Sequence, residues 1–175
     1  MYGGAPVNSF VRQLQSYGEH MPSEDLRIPT FGLENAAVVN KPRPAAYAVI
    51  IDNQGRIAAV KGKSHYFLSG GGSLAEETPE QTAMREVREE LACELRIISQ
   101  IGKAVQVFQA DGQNYRMEAV FFEGELIGVI SEAAEYELCW LDVGQIEEGF
   151  YHKCQVWAVK QLRDSKRYGG HLQET

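Results

Sequence analysis

The sequence predicts an α/β domain, a mixed sheet with helices on either side, preceded by an N-terminal arm. Three observations carry this. Short runs rich in β-branched, aromatic and small apolar residues, among them 45–51, 56–61 and 66–68, are bounded by turn-forming residues. Two stretches, 79–91 and 152–166, instead repeat their apolar residues at helical spacing. Residues 1–44 hold Pro22, Pro29, Pro42 and Pro44 with little periodicity, so they read as an arm added to a domain spanning 45–166, with a frayed tail over 167–175. A chain of 175 residues buries a core of this kind without cross-links.

Within the arm, Asn8 to Met21 predicts a short helix with Phe10, Leu14 and Tyr17 on one side, followed by an extended connector to Pro44. Ala45 to Ile51, the turn Asp52-Asn53-Gln54-Gly55 and Arg56 to Lys61 predict a hairpin. Tyr66 to Leu68 is a short strand running into Gly70-Gly71-Gly72. Thr78-Pro79-Glu80-Gln81 is a strong helix start: Thr78 caps, Pro79 suits the first helical position and Gln81 completes a capping box. The helix runs to about Leu91, with Ala83, Met84, Val87 and Leu91 as its buried face. Leu95 to Ala110 and Tyr115 to Leu126 predict two long strands joined by a turn at Asp111–Asn114. Glu137 to Leu141 is a further strand. His152 to Lys166 is the last helix, with Cys154, Trp157, Ala158, Gln161 and Leu162 along one stripe.

Composition excludes several roles. A net charge of -7 argues against binding to nucleic acid polymers, which calls for a basic field. No apolar run reaches the length of a membrane span, and the N-terminus lacks the design of a signal peptide. Cys93, Cys139 and Cys154 are odd in number and far apart, which predicts reduced thiols in a cytoplasmic protein and no zinc site.

The chemistry gathers on the first strong helix. At about 100° per residue, Glu86, Glu89 and Glu90 share an arc beside the apolar face. Glu86 and Glu90 are four residues apart, a like-charge pair costing about 0.2–0.5 kcal/mol. Arg85 reaches Glu89 in the less favourable order and Arg88 points away, so the cluster is under-compensated within its own helix. A hard cation such as Mg²⁺ or Mn²⁺ would relieve it. The acidic arc alone reads equally well as a solvated face. The glycine triplet tips the balance, because Gly70, Gly71 and Gly72 let backbone approach a metal or phosphate closely. Lys61 and Lys63, between the predicted hairpin and this loop, are placed to meet phosphates. His65 and His152 have no Ser or Cys partner in any motif and read as surface or turn residues. Trp140, Trp157, Phe121 and Phe122 read as core.

The spacing resembles the box of the Nudix hydrolase family (MutT-like). Five residues separate Gly71 from Glu77, seven more lead to Arg85-Glu86, and Val87, Arg88 and Glu89-Glu90 follow, with Leu91, Ala92 and Cys93 closing the pattern. The departures are Ala92 for the usual glycine, Ser69 where proline often precedes the glycines, and Leu74 where a further glutamate is frequent. The resemblance implies an α/β/α sandwich over residues 45–166 and hydrolysis of a diphosphate linked to another moiety. Carried onto these positions, Glu86, Glu89 and Glu90 with the carbonyl of Gly70 would hold Mg²⁺ or Mn²⁺. Arg85 and Glu77 would orient that cluster, and Gly71 would meet the substrate. The general base varies in the family. Glu86 is the candidate within the box, and Glu132, Glu135 and Glu137, ahead of the Trp140 strand, are the candidates outside it.

No proline follows Pro79, so the downstream proline expected of ADP-ribose hydrolases is absent. The marks of dinucleoside polyphosphate and NADH hydrolases are missing too. Gly70–Gly72 with Glu76-Glu77 is faintly similar to diphosphoinositol polyphosphate hydrolases, whose substrates want a denser basic pocket than this sequence offers. Nucleoside triphosphates, nucleotide sugars and dinucleotides stay open as substrates. The resemblance also allows a homodimer joined by exchange of the arm. The alternative is a Nudix-fold module that senses a nucleotide without cleaving it, but such a module is free to lose its glutamates, and this chain keeps Glu77, Glu86, Glu89 and Glu90 with Arg85.

Overall fold

The computed structural model describes residues 28–33, 39–129 and 133–169. The helix expected over Asn8–Met21, and Glu132, lie outside them. Eight strands and three helices follow in order: β1 (Thr30–Phe31), β2 (Lys41–Ile50), β3 (Ile57–Lys61), β4 (Tyr66–Phe67), β5 (Gly70–Gly72), α1 (Pro79–Leu91), β6 (Cys93–Ala110), β7 (Gln113–Val129), β8 (Leu138–Leu141), α2 (Val143–Gly149) and α3 (Lys153–Gly169). A five-stranded sheet has the order β1-β6-β7-β2-β5, and a three-stranded sheet the order β4-β3-β8. The larger sheet is mixed: β1 runs parallel to β6 and β2 parallel to β7, while β6–β7 and β2–β5 are antiparallel.

Strand β2 shows why the domain is layered. Ala45, Tyr47 and Val49 enter one apolar cluster with Met117, Phe121, Val159 and Leu162, and Ala46, Ala48 and Ile50 enter a second with Ala83, Val87 and Phe122. Period-two alternation therefore buries both faces of this central strand, one under α3 and one under α1. The result is the expected α/β sandwich with a mixed sheet.

Several expectations are corrected. The extended connector joins the sheet before Pro44: Thr30 and Phe31 pair with Val105 and Gln106, and β2 begins at Lys41, paired with Tyr115, rather than at Ala45. Pro42 and Pro44 fit there because β5 meets β2 only from Ala45 onward, leaving one edge of the first four residues without a ladder to break. The first predicted hairpin is also not one. Strands β2 and β3 belong to different sheets and meet only at the bridge Ile51–Ile57. The second hairpin forms as expected, with Asp111 and Gly112 at positive φ (49° and 74°), the backbone that two-residue turns require. Helix α2 was not foreseen, since seven residues give too little periodicity. Helix α3 continues to Gly169, past the expected end of the domain.

Helix α1 starts as its sequence dictates. The Thr78 hydroxyl accepts from the Gln81 N–H at 3.2 Å, and Gln81 Oε1 accepts from the Thr78 N–H at 2.9 Å. Its inward face is Thr82, Ala83, Val87 and Leu91. Met84, expected inside, is exposed; the buried face is turned towards Thr82, whose hydroxyl lies 3.0 Å from both Ser73 Oγ and Glu77 Oε2. Ala92 takes the left-handed conformation (φ 51°, ψ 41°) and donates its N–H to the Arg88 carbonyl, so the helix ends where the usual glycine would end it. The three thiols are free, with Cys93 and Cys154 buried. None of the described helices is long and apolar enough to cross a membrane.

Thr78→Ala removes the reciprocal cap without touching the core, and is expected to cost about 1 kcal/mol of unfolding free energy in a urea titration.

Candidate active site

Strand β5 lays its glycines along β2, with Gly72 opposite Ala45 and Gly70 opposite Tyr47. Gly70 has φ +143°, and a Cβ there would stand 2.3 Å from the Ala46 carbonyl oxygen. A Cβ on Gly71 would sit 2.7 Å from the Glu86 carboxylate. Only glycine lets this backbone lie between a strand and a charged helix face. Glu90 closes the contact from the other side: its Oε2 accepts from Ser69 Oγ at 2.8 Å and from the Gly70 N–H at 2.9 Å. Ser69, where the pattern often has proline, is buried and supplies a hydrogen bond that proline lacks.

Arg85 does more than the helix geometry suggested. Its Nε and Nη2 grip Glu77 Oε1 and Oε2 at 2.6 and 3.1 Å. Nη1 reaches Glu86 Oε1 at 2.9 Å and Glu89 Oε2 at 3.0 Å, and Nη2 donates to the Gly72 carbonyl at 3.1 Å. The expectation that the neighbouring arginines help little is thus wrong for Arg85, because the loop folds Glu77 back onto a guanidinium that is already beside Glu86. The Arg85 contact, joined by the Leu74 N–H and Thr82, holds the Glu77 carboxyl down at about 2. Leu74 contributes its backbone rather than a side chain, so a glutamate there is dispensable.

Burial pushes the Glu90 carboxyl up to about 7; the Ser69 and Gly70 hydrogen bonds oppose this, and the charges of Glu86 and Glu135 add to it. Glu135 is nearby for a backbone reason. Its N–H donates to the Glu89 carbonyl at 3.2 Å and that of Tyr136 to the Glu90 carbonyl at 3.0 Å, so the chain after β7 docks on carbonyls of the last helical turn. Glu137, two residues on, is exposed and is not among the charges acting on Glu90.

Gly70, Gly71 and Glu90 share a cleft of ≈ 220 Å³ with Arg43, Tyr47, Phe67, Tyr136 and His152. Lys61 is exposed at the end of β3, apart from this lining. Lys63 and His65 line an adjoining hollow of ≈ 290 Å³. A larger cavity, ≈ 380 Å³ beside β1 and Arg116, shares no residue with the cleft and carries none of the glutamates of the box. Arg43 and His152 were missed as site residues. Period-two counting back from Tyr47 puts Arg43 on the same face, but two flanking prolines disguised the strand. His152, read as a surface or turn residue, is 6% exposed, with the rings of Phe67, Phe108 and Tyr151 edge-on to it.

Among the described residues no three carboxylate, histidine or cysteine groups are already drawn together as a metal site. The donor set nevertheless fits a hard divalent cation. It is all oxygen; Arg85 takes one oxygen of Glu86 and one of Glu89, Ser69 and Gly70 take one of Glu90, and among the described residues the second oxygen of each has no hydrogen-bond or ion-pair partner.

Burial, followed by the charge of Arg43, lowers His152 from its ordinary value of 6.5 to about 4. The unfolded chain therefore binds a proton on this residue at higher pH than the folded one. Stability from the neutral ring is complete above pH 6.5 and is lost as pH falls towards 4, by up to about 3 kcal/mol. Glu90, with its raised pKa, moves the other way over the same range, so the difference between variants isolates the histidine. His152→Phe is expected to remove that share of the acid-side loss, measured by denaturant titration at pH 7 and pH 4.5.

The NUDIX domain family matches residues 41–160. A comparison with curated proteins found no match. Three solved structures are similar in fold. A NUDIX hydrolase from Nitrosomonas europaea superposes with a TM-score of 0.61 at 16% identity, over 72% of this chain and 91% of that one. A MutT protein from Methanosarcina mazei Go1 gives 0.58 at 18%, over 74% and 99%. A MutT NUDIX hydrolase from Burkholderia pseudomallei gives 0.58 at 24%, over 70% and 98%. With the box residues assembled as described and the domain match running through the sandwich, the chain belongs to the NUDIX family, a family of pyrophosphohydrolases, and shares its fold with the MutT proteins above.

Proposed function

We propose that the chain hydrolyses a diphosphate linkage in a nucleoside diphosphate joined to another moiety, namely a nucleoside triphosphate, a nucleotide sugar or a dinucleotide. Glu86, Glu89, Glu90 and the Gly70 carbonyl would hold Mg²⁺ or Mn²⁺. The observation that carries this reading is the Glu90 carboxylate, half-buried against the glycine backbone and beside two further acidic groups, an arrangement that is costly without a cation and useful with one. Bound there, the cation supplies neutralisation of phosphate oxygens and a lowered pKa for water.

The chain's own residues do the rest. The glycine backbone leaves room for a diphosphate against the carboxylates. Arg85 fixes Glu77, Glu86 and Glu89 in one arrangement, so they do not reorganise as charge develops. A water oxygen forms the new bond to phosphorus, the bridging P–O bond breaks, and the water's proton passes to a carboxylate. Within the box Glu86 can take it. Outside the box we assign that role to Glu135, which the helix carbonyls hold at the cluster, rather than to Glu137.

Purified protein with Mg²⁺ is expected to turn over at least one of these substrate classes, read as released phosphate after a phosphatase step. Glu89→Gln and Glu90→Gln are expected to abolish turnover. Glu135→Gln should lower kcat by about 10²–10⁴ and Glu137→Gln should change it little. Nucleotide binding without turnover in the unmodified chain would replace the hydrolase with the sensing module.

A further inference from the structure

The glycine backbone of the cleft is held from two sides. In front, Glu90 Oε2 takes the Gly70 N–H at 2.9 Å, and Arg85 donates to the Gly72 carbonyl at 3.1 Å. Behind, the chain reaches the glycines by crossing from the three-stranded sheet, which holds β4, to the five-stranded one, which holds β5. Leu68 lies at the crossing and belongs to neither strand. Its N–H is accepted at 3.0 Å by the Oε1 of Gln155, which sits on α3, 87 residues further along the chain. The Ser69 carbonyl then accepts the Ala48 N–H at 2.9 Å. The backbone of Leu68–Gly72 is thus tied at one point after another, and Gln155 makes the first tie.

A glutamine is costly in that place. Its side chain is fully buried at the start of α3, beside the apolar cluster that takes Leu68, Cys154 and Val156. Its Nε2 has no hydrogen-bond partner among the described residues. Such an orphan costs about 1–3 kcal/mol, which an aliphatic side chain would avoid. The amide cannot reverse to relieve it, because that would set Nε2 against the Leu68 N–H, donor against donor. What the glutamine gives in return is direction. Apolar packing places Leu68 without setting the tilt of its peptide plane, whereas a hydrogen bond sets that tilt. Direction matters because Gly70 and Gly71, just beyond, have no side chains to restrict their own torsions. Gln155 is itself firmly seated. Its N–H donates to the His152 carbonyl at 3.1 Å, and the buried Gln106 caps the same turn by accepting the Cys154 N–H at 3.2 Å.

We infer that Gln155 is a positioning residue for this site, acting through Leu68 to aim the Gly70 carbonyl at the cation. This rests on the reading that Glu86, Glu89, Glu90 and that carbonyl hold a divalent ion. Gln155 touches neither ion nor substrate; it sets the backbone to which one of the ligands belongs.

The test is a titration of the full-length chain with Mn²⁺, read from the electron paramagnetic resonance of the free ion, with thermal unfolding followed in parallel by circular dichroism. Gln155→Met fills similar space without an acceptor. It is expected to weaken Mn²⁺ binding about fivefold or more at a temperature where the variant is fully folded. Gln155→Asn, whose oxygen falls one methylene short, should weaken it likewise and serves if Gln155→Met does not fold. Gln155→Glu restores the acceptor, its carboxyl kept neutral by burial, and should recover binding to within about twofold of the unmodified chain. A residue that only stabilises the fold would lower the unfolding temperature and leave the Mn²⁺ affinity of the folded protein alone. Affinity within about twofold of the unmodified chain in whichever of Gln155→Met and Gln155→Asn folds, or a loss that Gln155→Glu does not recover, would overturn the inference. Glu90→Gln separates it from the reading beneath it. Mn²⁺ binding that survives Glu90→Gln places the ion elsewhere and removes the proposed site, whereas binding lost in Glu90→Gln and untouched by the Gln155 variants removes this inference alone.

Discussion

The cleft exists because the backbone of Ser69–Gly72 lies hard against helix α1. Two contacts hold it there. Glu90 takes the Ser69 hydroxyl and the Gly70 N–H, and Arg85 takes the Gly72 carbonyl while binding three carboxylates. Neither contact is cheap. One partly desolvates a carboxylate and the other crowds like charges, and a Cβ on Gly70 or Gly71 would strike backbone or carboxylate and force the loop away. The inward cluster of Ala83, Val87 and Leu91 anchors the helix that makes this approach possible. Core packing thus positions the acidic face, and the glycines let the loop meet it.

The local elements of this arrangement were legible in the sequence because their causes are local. A cap, a proline and a glutamine three residues on define the start of α1 whatever surrounds it. The β6–β7 turn is set by two residues that tolerate positive φ. The box residues come together because the helical repeat and one short loop are enough to gather them. What was misread depends on distance. Whether β2 pairs with β3 or with β7 is settled by which strand best covers a run buried on both faces, and no window of a dozen residues contains that information. Met84 and Thr82 exchanged places for a related reason. The helix periodicity allows either, and the Thr82 hydroxyl's contacts with Ser73 Oγ and the accepting Glu77 carboxylate choose the threonine.

The same distance hid the other half of the cleft. Arg43 precedes the glycine loop by some thirty residues and His152 follows Glu90 by about twice that, so neither belongs to a motif with it. Parallel pairing of β2 with β7 brings Arg43 opposite Met117, and the long β6–β7 hairpin carries Phe108 and Tyr115 to the rings around His152. In sequence these residues are one arginine between prolines and one histidine before a helix. Burial singles out His152, because an exposed histidine has water for its nitrogens, whereas His152 is only 6% exposed.

Arg85 also bears on how the acidic site can be both folded and receptive. Were the guanidinium to saturate its carboxylates, a divalent cation would have to break ion pairs before binding. It does not: Glu77 is gripped through both oxygens, whereas Glu86 and Glu89 each give up only one. Glu77, gripped through both oxygens, has its carboxyl held down at about 2, and it is not among the proposed cation ligands. The single contacts fall on the two that, as proposed cation ligands, would need an oxygen available. Arg85 therefore stabilises the cluster against its own repulsion without occupying it, and on the proposed reading a cation would meet ligands already oriented. That division of labour explains why lysine would not serve at this position, since a point charge cannot hold one carboxylate by two atoms while touching two others and a backbone carbonyl.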